Sequence, residues 1–209
     1  MTRPPANHRV DVVWGCGSGN PPLAAELLRA EVGRFLRIPG ANVGLSRLCG
    51  QCGSSEHGRP VVLPQGEHPP PFVSLSRTGA LAAVAVSDCG PVGVDVERLD
   101  ATRFAGFGEV ALHESEVAST IEDRVVTWVR KESLLKATGH GLSIDPRLVR
   151  LSGVDEPPRL LDWFAPDPLE RTVWMQDLEL DGYAACVTVL SDEAPQVSLR
   201  QAVPEVPAR

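Results

Sequence analysis

Three short apolar runs follow one another in the middle of the chain, at residues 72–76, 81–87 and 92–97. A Thr-Gly pair separates the first two runs and a Cys-Gly-Pro sequence separates the last two, and both separators are typical of turns. Short apolar runs between turns indicate strands rather than helices. Because consecutive strands joined by tight turns pair with each other, the segment predicts a three-stranded antiparallel meander.

Helical periodicity marks three other segments. They are residues 23–36, 107–119 and 122–138. In each of them apolar residues recur at the intervals of an amphipathic helix, and Pro39-Gly40 ends the first. Gly139, directly after the last segment, suits a helix C-cap because glycine adopts the left-handed conformation without strain. We therefore expect one helix before the meander and two after it.

The C-terminal third of the chain returns to strand patterns. Residues 172–180 and 183–190 flank Asp181-Gly182, a strong hairpin signal. From residue 191 the chain is polar and contains proline, which predicts a frayed tail. Weaker patterns predict an edge strand, a further strand and a loop, at residues 10–14, 43–48 and 49–71, respectively.

The order of these elements predicts the fold class and the division of the chain. A helix and strands are followed by helices and strands, so we expect an α+β protein of two similar halves packed together. The halves correspond to residues 1–100 and 101–190, and residues 191–209 form the tail.

Charge and cysteine content narrow the function classes. The net charge of −7 argues against broad binding to nucleic acid or to an anionic membrane surface. No apolar run approaches the roughly 18 residues that span a bilayer, and the N-terminus lacks a signal-peptide pattern. Five cysteines, an odd number in a chain of this length, indicate reduced thiols. We therefore expect a cytoplasmic protein.

Two acidic residues stand out in the third strand of the predicted meander. Side chains alternate along a strand, so Asp95 and Glu97 point to one face and Val94 and Val96 to the other, which is the core face. Two like charges about 7 Å apart are unfavourable unless a cation or solvent neutralises them. A metal site and a solvated strand face both remain open from this spacing alone.

The helix predicted at residues 122–138 favours the metal site. Its apolar stripe consists of Val125, Trp128, Val129 and Leu135. Glu132 and Lys136 fall within this stripe, whereas Arg130 and Lys131 fall on the side that we expect to be exposed. An ordinary surface Glu–Lys pair at i,i+4 is the alternative. Because an unpaired buried charge is costly, we expect Glu132 and Lys136 to face inward toward partners.

Glu116 is a third candidate carboxylate, although a surface residue of the helix predicted at 107–119 would have the same spacing. Carboxylates with open positions suit Mg²⁺, which prefers oxygen ligands and phosphates. An inward-facing lysine beside them suits phosphate binding. The residues alone therefore predict metal-assisted chemistry on a phosphate.

Two motifs in this order resemble the paired signature of the 4′-phosphopantetheinyl transferases of the larger, pseudo-dimeric type. Residues 93–97 (GVDVE) and 128–136 (WVRKESLLK) fit the family patterns G-V/I-D-V/I-E and W-x-x-K-E-x-x-x-K. Residues 57–60 (HGRP) resemble the G-K/R-P loop of the family, and residues 72–76 (FVSLS) resemble its S-L-S motif. The match spans about residues 43 to 142, roughly half of the chain.

The resemblance implies a monomer with two α/β halves related by a pseudo-twofold. It also implies transfer of the phosphopantetheine arm of coenzyme A to a serine of an acyl or peptidyl carrier protein, as in polyketide or nonribosomal peptide biosynthesis. Mg²⁺ would be held on the pyrophosphate by Asp95, Glu97 and Glu116. Glu132 would complete the metal site or take the serine proton, and Lys136 would bind the α-phosphate. The implied ligands of the 3′-phosphate are Arg59, Ser76 and Arg77.

The chain departs from the family pattern at two points. Arg77 stands where the family usually has histidine, although arginine also pairs with phosphate. The N-terminal region is short, with Glu26 near the position of an expected basic residue. A related protein repurposed for different chemistry therefore remains an alternative, as does a non-catalytic module that binds carrier proteins.

Three weaker signals have ordinary explanations. Cys49 and Cys52 with His57 nearby form half of a zinc motif, but no second cysteine pair follows, so ordinary thiols in a loop are the alternative. Residues 15–19 resemble a phosphate loop in composition only. His113 and His140 have no catalytic spacing and are expected at the surface.

Overall fold

The computed structural model describes residues 8–17, 22–64, 69–101 and 106–202. Its helices are α1 (Pro22–Leu36), α2 (Phe107–Ala111) and α3 (Ile121–Thr138). Its strands are β1 (Arg9–Cys16), β2 (Leu45–Leu48), β3 (Arg59–Val62), β4 (Phe72–Thr78), β5 (Leu81–Ser87), β6 (Val92–Arg98), β7 (Val149–Leu151), β8 (Leu160–Trp163), β9 (Val173–Asp177), β10 (Tyr183–Leu190) and β11 (Gln196–Gln201).

Two sheets form the centre of the protein. One has four strands in the order β11-β1-β5-β4, and the other has three in the order β6-β10-β9. β1 and β11 are parallel, and the other neighbours are antiparallel. The pairs β2-β3 and β7-β8 form separate hairpins. The mixed α+β class predicted from the sequence is confirmed.

The helices cover the outer faces of the two sheets. Alternate residues of β5 separate its faces: Ala83 belongs to the core between the sheets, and Val84 packs in the core beneath α1. On the three-stranded sheet, Val94 faces the same inter-sheet core, and Cys186 packs against α3. The layers therefore run α1, four-stranded sheet, three-stranded sheet, α3. No helix in the described ranges is long and apolar enough to cross a bilayer.

Hydroxyl groups join the two sheets where β4 approaches β6. The amide of Val94 donates to Ser74 Oγ at 3.1 Å, and the amide of Val96 donates to Ser76 Oγ at 3.4 Å. These hydroxyls satisfy amides that would otherwise be buried without a partner. The contacts fix the position of β6 along β4 and so set which residues lie opposite Asp95.

Several sequence predictions are wrong because strand pairing here is non-local. β6 pairs with β10 and not with β5, so the three-stranded meander is reduced to the β4-β5 hairpin. β1 lies between β11 and β5 and is not an edge strand. The tail predicted from residue 191 contains β11, which pairs with β1. The helix predicted at 107–119 ends at Ala111, and the loop predicted at 49–71 contains β3.

Local signals that do not depend on distant partners are confirmed. β9 and β10 pair around Asp181-Gly182, and Gly182 has a φ of 78°. α3 begins with a capping box in which Thr120 and Asp123 bond each other's backbone, and it ends at Gly139 with a φ of 81°. The helix predicted at 23–36 corresponds to α1.

Candidate active site

Asp95 lies at the centre of a polar cluster between β6 and α3. Its side chain is buried, with 3% of the residue surface exposed. Oδ1 accepts hydrogen bonds from Ser76 Oγ at 2.7 Å and from Lys136 Nζ at 2.6 Å. Oδ2 is buried and has no hydrogen-bond partner in the described part of the chain. Burial of a carboxylate oxygen without a partner costs free energy, so this oxygen is an acceptor that favours binding of a cation or a donor.

Glu97 lies two residues further along the same face of β6. Its carboxylate accepts a hydrogen bond from Thr78 Oγ1 at 2.8 Å. Burial raises the pKa of Glu97, and the charge of Asp95 raises it further, although Thr78 and Lys136 act in the opposite direction. The sequence prediction that Asp95 and Glu97 share a face is confirmed, because both interact with Lys136.

Glu132 reaches the cluster from α3. Burial raises the pKa of Glu132, the charges of Asp95 and Glu97 raise it further, and Lys136 lowers it. These interactions show that the helix turns Glu132 toward the sheet. The structure therefore brings together three carboxylates and one ammonium.

This cluster has the donor set of a divalent-cation site. Carboxylate oxygens are preferred by Mg²⁺, and one lysine does not offset three carboxylates. Oδ2 of Asp95, which accepts no hydrogen bond from the described residues, supplies one such oxygen. In the described ranges, one group of three potential ligands has all its ligand atoms within 4.8 Å of one another, and it consists of Cys49, Cys52 and His57. The oxygens of the three carboxylates are therefore farther apart than that. Binding of one ion would therefore draw the carboxylates together.

Glu116 lies elsewhere, in the segment after α2. Its carboxylate forms an ion pair with Lys131 at 2.5 Å and accepts the amides of His113 at 2.9 Å and Leu151 at 2.7 Å. Both oxygens are therefore occupied by protein donors. The expectation that Glu116 joins Asp95 and Glu97 is not met in this structure, where Glu132 is the third carboxylate.

Arg130 and Lys131, expected on an exposed face, are buried with 2% and 0% of their surface exposed. The guanidinium of Arg130 pairs with Asp177 through two nitrogens, at 3.1 and 2.6 Å, and also contacts loop carbonyls. Lys131 Nζ donates to the carbonyls of Ala111 and Val149 besides Glu116. α3 is therefore held from both flanks by buried cations.

A cleft of about 780 Å³ begins at Lys136 and extends along β3 and the first half of β4. Polar and glycine residues on its walls include Arg47, Arg59, Ser74, Lys136, Gly139 and His140. Lys136 thus belongs both to the carboxylate cluster and to the cleft. The other cationic side chains extend the positive charge along the walls, as a polyanionic ligand requires.

The three expected phosphate ligands differ in position. Arg59 lines the cleft, as predicted. Ser76 is buried, and its hydroxyl is used by Asp95 and by the amide of Val96, so it orients the carboxylate. Arg77 is exposed in the second half of β4 and is not among the residues that line the cleft. Arg77 therefore stays a predicted ligand of the 3′-phosphate that the cleft does not support.

Two residues that line the cleft are not indicated by any sequence motif. Arg47 belongs to no recognised motif, but it pairs with Pro60 across the β2-β3 hairpin and so lies next to Arg59. His140 directly follows the helix C-cap and was expected only at the surface. A sequence signal for the pairing of β2 with β3 would have been enough to predict Arg47 in the cleft.

Comparison with known proteins agrees with this arrangement. Residues 91–188 match the family model of the 4′-phosphopantetheinyl transferase superfamily. The match includes β6, α3 and most of β10, and with them Asp95, Glu97, Glu132 and Lys136. No curated protein matches the chain at a significant level.

Proposed function

We propose that this chain is a 4′-phosphopantetheinyl transferase, which transfers the phosphopantetheine arm of coenzyme A to a serine of an acyl or peptidyl carrier protein. The observation that supports this most directly is the buried Oδ2 of Asp95, which accepts no hydrogen bond from the described residues and is flanked by Glu97 and Glu132 at one end of a cation-lined cleft. We expect a Mg²⁺-dependent reaction catalysed by a cytoplasmic monomer.

Asp95, Glu97 and Glu132 are the residues that would hold Mg²⁺. When bound, the ion supplies positive charge next to the pyrophosphate of coenzyme A, where negative charge develops during transfer. Ser76 and Thr78 support this role, since their hydroxyls hold the carboxylates of Asp95 and Glu97 in fixed orientations. Glu116 remains a predicted ligand only if its pair with Lys131 is broken.

Lys136 binds the α-phosphate in this proposal. Its ammonium donates a hydrogen bond to Asp95 and borders the cleft, so a further N–H of the same ammonium is available to an incoming phosphate. As the bond between the β-phosphorus and the bridging oxygen breaks, Lys136 stabilises the charge on the departing adenosine 3′,5′-bisphosphate.

The alternative role of Glu132, when Asp95 and Glu97 alone hold the ion, is to take the proton of the carrier serine, directly or through water. Its raised pKa makes the carboxylate a better proton acceptor than an exposed glutamate. The serine oxygen then forms a bond to the β-phosphorus while the bridging oxygen leaves. Arg59 and Arg47 hold the nucleotide end of the donor from the walls of the cleft.

Incubation of purified apo-carrier proteins with this protein, coenzyme A and Mg²⁺, followed by intact-mass spectrometry, tests the proposal. We expect one carrier to gain the mass of a phosphopantetheine. Asp95→Ala should reduce the rate roughly 10²–10³-fold, because an electrostatic contact is lost where charge develops. Glu156→Gln, which changes an exposed carboxylate paired with Arg159, serves as the matched control. Wild-type rates for Asp95→Ala at saturating Mg²⁺ would exclude the proposed metal site.

A repurposed transferase with a different donor is the second candidate. The position of Arg77 outside the cleft favours it, because one of the expected ligands of the 3′-phosphate is missing from the walls. Calorimetric titration with coenzyme A and with dephospho-coenzyme A separates the two candidates. Equal affinities for the two ligands would favour the repurposed enzyme, whereas tighter binding of coenzyme A supports the transferase.

A further inference from the structure

The loop between β2 and β3 brings together three potential metal ligands that the proposed function does not use. The two thiols of Cys49 and Cys52 and the imidazole of His57 have ligand atoms that all lie within 4.8 Å of one another. Cys52 Sγ and His57 Nε2 are 3.5 Å apart. The sequence supplies these ligands as Cys-x-x-Cys followed by a histidine five residues after the second cysteine.

The separation of Cys52 and His57 matches a tetrahedral zinc site. With Zn–S of about 2.3 Å and Zn–N of about 2.0–2.1 Å, a tetrahedral centre separates a sulfur and a nitrogen ligand by about 3.6 Å. The Cys52–His57 distance of 3.5 Å is therefore close to the separation that one tetrahedral ion requires of these two ligand atoms. Thiolate and imidazole ligands favour Zn²⁺ over the hard cation Mg²⁺, so this group is chemically distinct from the Asp95 cluster.

The backbone around Cys49 is already arranged for a thiolate ligand. The amides of Gln51 and Cys52 donate hydrogen bonds to the Cys49 sulfur. The amide of Gly53 donates to the Cys49 carbonyl at 2.9 Å, and Gly53 has a φ of 71°, which favours glycine. Amide donors stabilise sulfur that carries negative charge, and such contacts outside the metal shell orient its ligands.

We propose that Cys49, Cys52 and His57 bind one Zn²⁺ ion, with solvent as the fourth ligand. The site does not depend on the proposed transferase activity. It closes the tip of the β2-β3 hairpin, and Arg59 follows His57 by two residues. Arg47 donates to the carbonyl of Gly58 at 3.1 Å within the same tip. The ion therefore fixes the hairpin segment that forms one wall of the cleft.

Zinc content of the full-length protein tests the site directly. After purification in the presence of Zn²⁺ and removal of loosely bound metal by gel filtration, we expect about one zinc per chain by elemental analysis. Cys52→Ser and His57→Ala should each lose most of this zinc. Cys16→Ser is the matched control, since Cys16 is an exposed free cysteine outside the group, and it should retain the wild-type content.

Cobalt titration of the wild-type protein keeps the test independent of how the variants fold. Co²⁺ bound by two thiolates gives a sulfur-to-metal charge-transfer band that added Zn²⁺ abolishes. Hydrogen exchange supplies a structural readout: amides of β2 and β3 should exchange faster after a zinc-selective chelator is added. The proposal is overturned if the reduced wild-type protein gives no cobalt band and no zinc above that of Cys52→Ser. A Cys49–Cys52 disulfide that persists without metal under reducing conditions would also overturn it.

Discussion

Gly93 on β6 lies so close to Ser133 on α3 that a Cβ at position 93 would be 1.9 Å from the Ser133 carbonyl oxygen. The same Cβ would lie 2.6 Å from the amide nitrogen of Ala137. Only glycine allows this approach, because the opposing atoms belong to the helix backbone and cannot rotate away. The contact determines how far Lys136 is from Asp95, two residues along the strand.

Gly93→Ala should therefore impair the site although it replaces none of the site's charged side chains. The added methyl forces α3 away from β6, and we expect a loss of about 1–3 kcal/mol in the free energy of unfolding. A displacement of the helix by about 1 Å would lower carrier modification roughly 10²-fold. Chemical denaturation and the carrier mass assay measure the two effects.

Gly153→Ala is the matched control for that substitution, because its Cβ would meet only Glu156 at an ordinary contact distance of 3.8 Å. We expect near-wild-type behaviour from it. Full activity of Gly93→Ala would mean that the separation of α3 and β6 does not control the geometry between Lys136 and Asp95.

Arg59 and Arg77 form a natural pair for testing the cleft. Both are exposed arginines, but only Arg59 lines the cleft. A guanidinium–phosphate contact contributes about 1.5–3 kcal/mol, so Arg59→Ala should weaken coenzyme A binding roughly ten- to a hundred-fold. Arg77→Ala should leave the affinity nearly unchanged. Titration calorimetry gives both constants, and a larger loss for Arg77→Ala would show that coenzyme A binds outside this cleft.

Local periodicity is sufficient to predict the orientation of the four side chains in the carboxylate cluster. Strand alternation put Asp95 and Glu97 on one face, and helical periodicity turned Glu132 and Lys136 inward. These predictions succeeded because each depends on neighbours within one element. The packing of α3 against β6 then brings the two pairs together.

The positions of Glu116 and of the buried cations depend on distant partners. Helical periodicity predicts Lys131 in solvent because it cannot reveal that Glu116 and three backbone carbonyls surround the ammonium. The pairing of β6 with β10 likewise joins segments about ninety residues apart along the chain. Such contacts are determined by the tertiary fold, and no signal within the segments themselves indicates them.

Lys131 should be essential for stability rather than for chemistry. Lys131→Met removes a buried charge and leaves Glu116 without its cationic partner, so we expect a loss of about 3–5 kcal/mol in the free energy of unfolding. The double variant Lys131→Met/Glu116→Gln should recover part of this loss, because no buried charge is then unpaired. Arg159→Ala, which breaks an exposed ion pair, should have little effect.

Urea denaturation of the four proteins checks these expectations. If Lys131→Met unfolds at the wild-type urea concentration, the ammonium does not stabilise the segment after α2. If instead the single variant is destabilised and the double variant is destabilised further, Glu116 stabilises the fold without Lys131, through the amides of His113 and Leu151.

The raised pKa of Glu132 predicts a pH dependence of stability when divalent cations are removed. Between the ordinary glutamate pKa of about 4.3 and the raised value in the fold, the folded protein binds more protons than the unfolded chain. The free energy of unfolding therefore falls as the pH rises through this interval. Glu132→Gln cannot take up that proton, so its stability should fall less steeply over the same range.

The measurement is denaturation of wild type and of Glu132→Gln in EDTA across this pH range. Other carboxylates contribute equally to both proteins, so the comparison cancels their effect. Asp123 is one of them, and the backbone amide of Thr120 lowers its pKa. Added Mg²⁺ should raise wild-type stability mainly at the upper end of the range, where the carboxylates are ionised and repel one another. Its effect should be much smaller in Glu132→Gln, because one ligand charge is missing. Equal pH slopes for the two proteins, together with equal responses to Mg²⁺, would mean that Glu132 does not belong to the metal site.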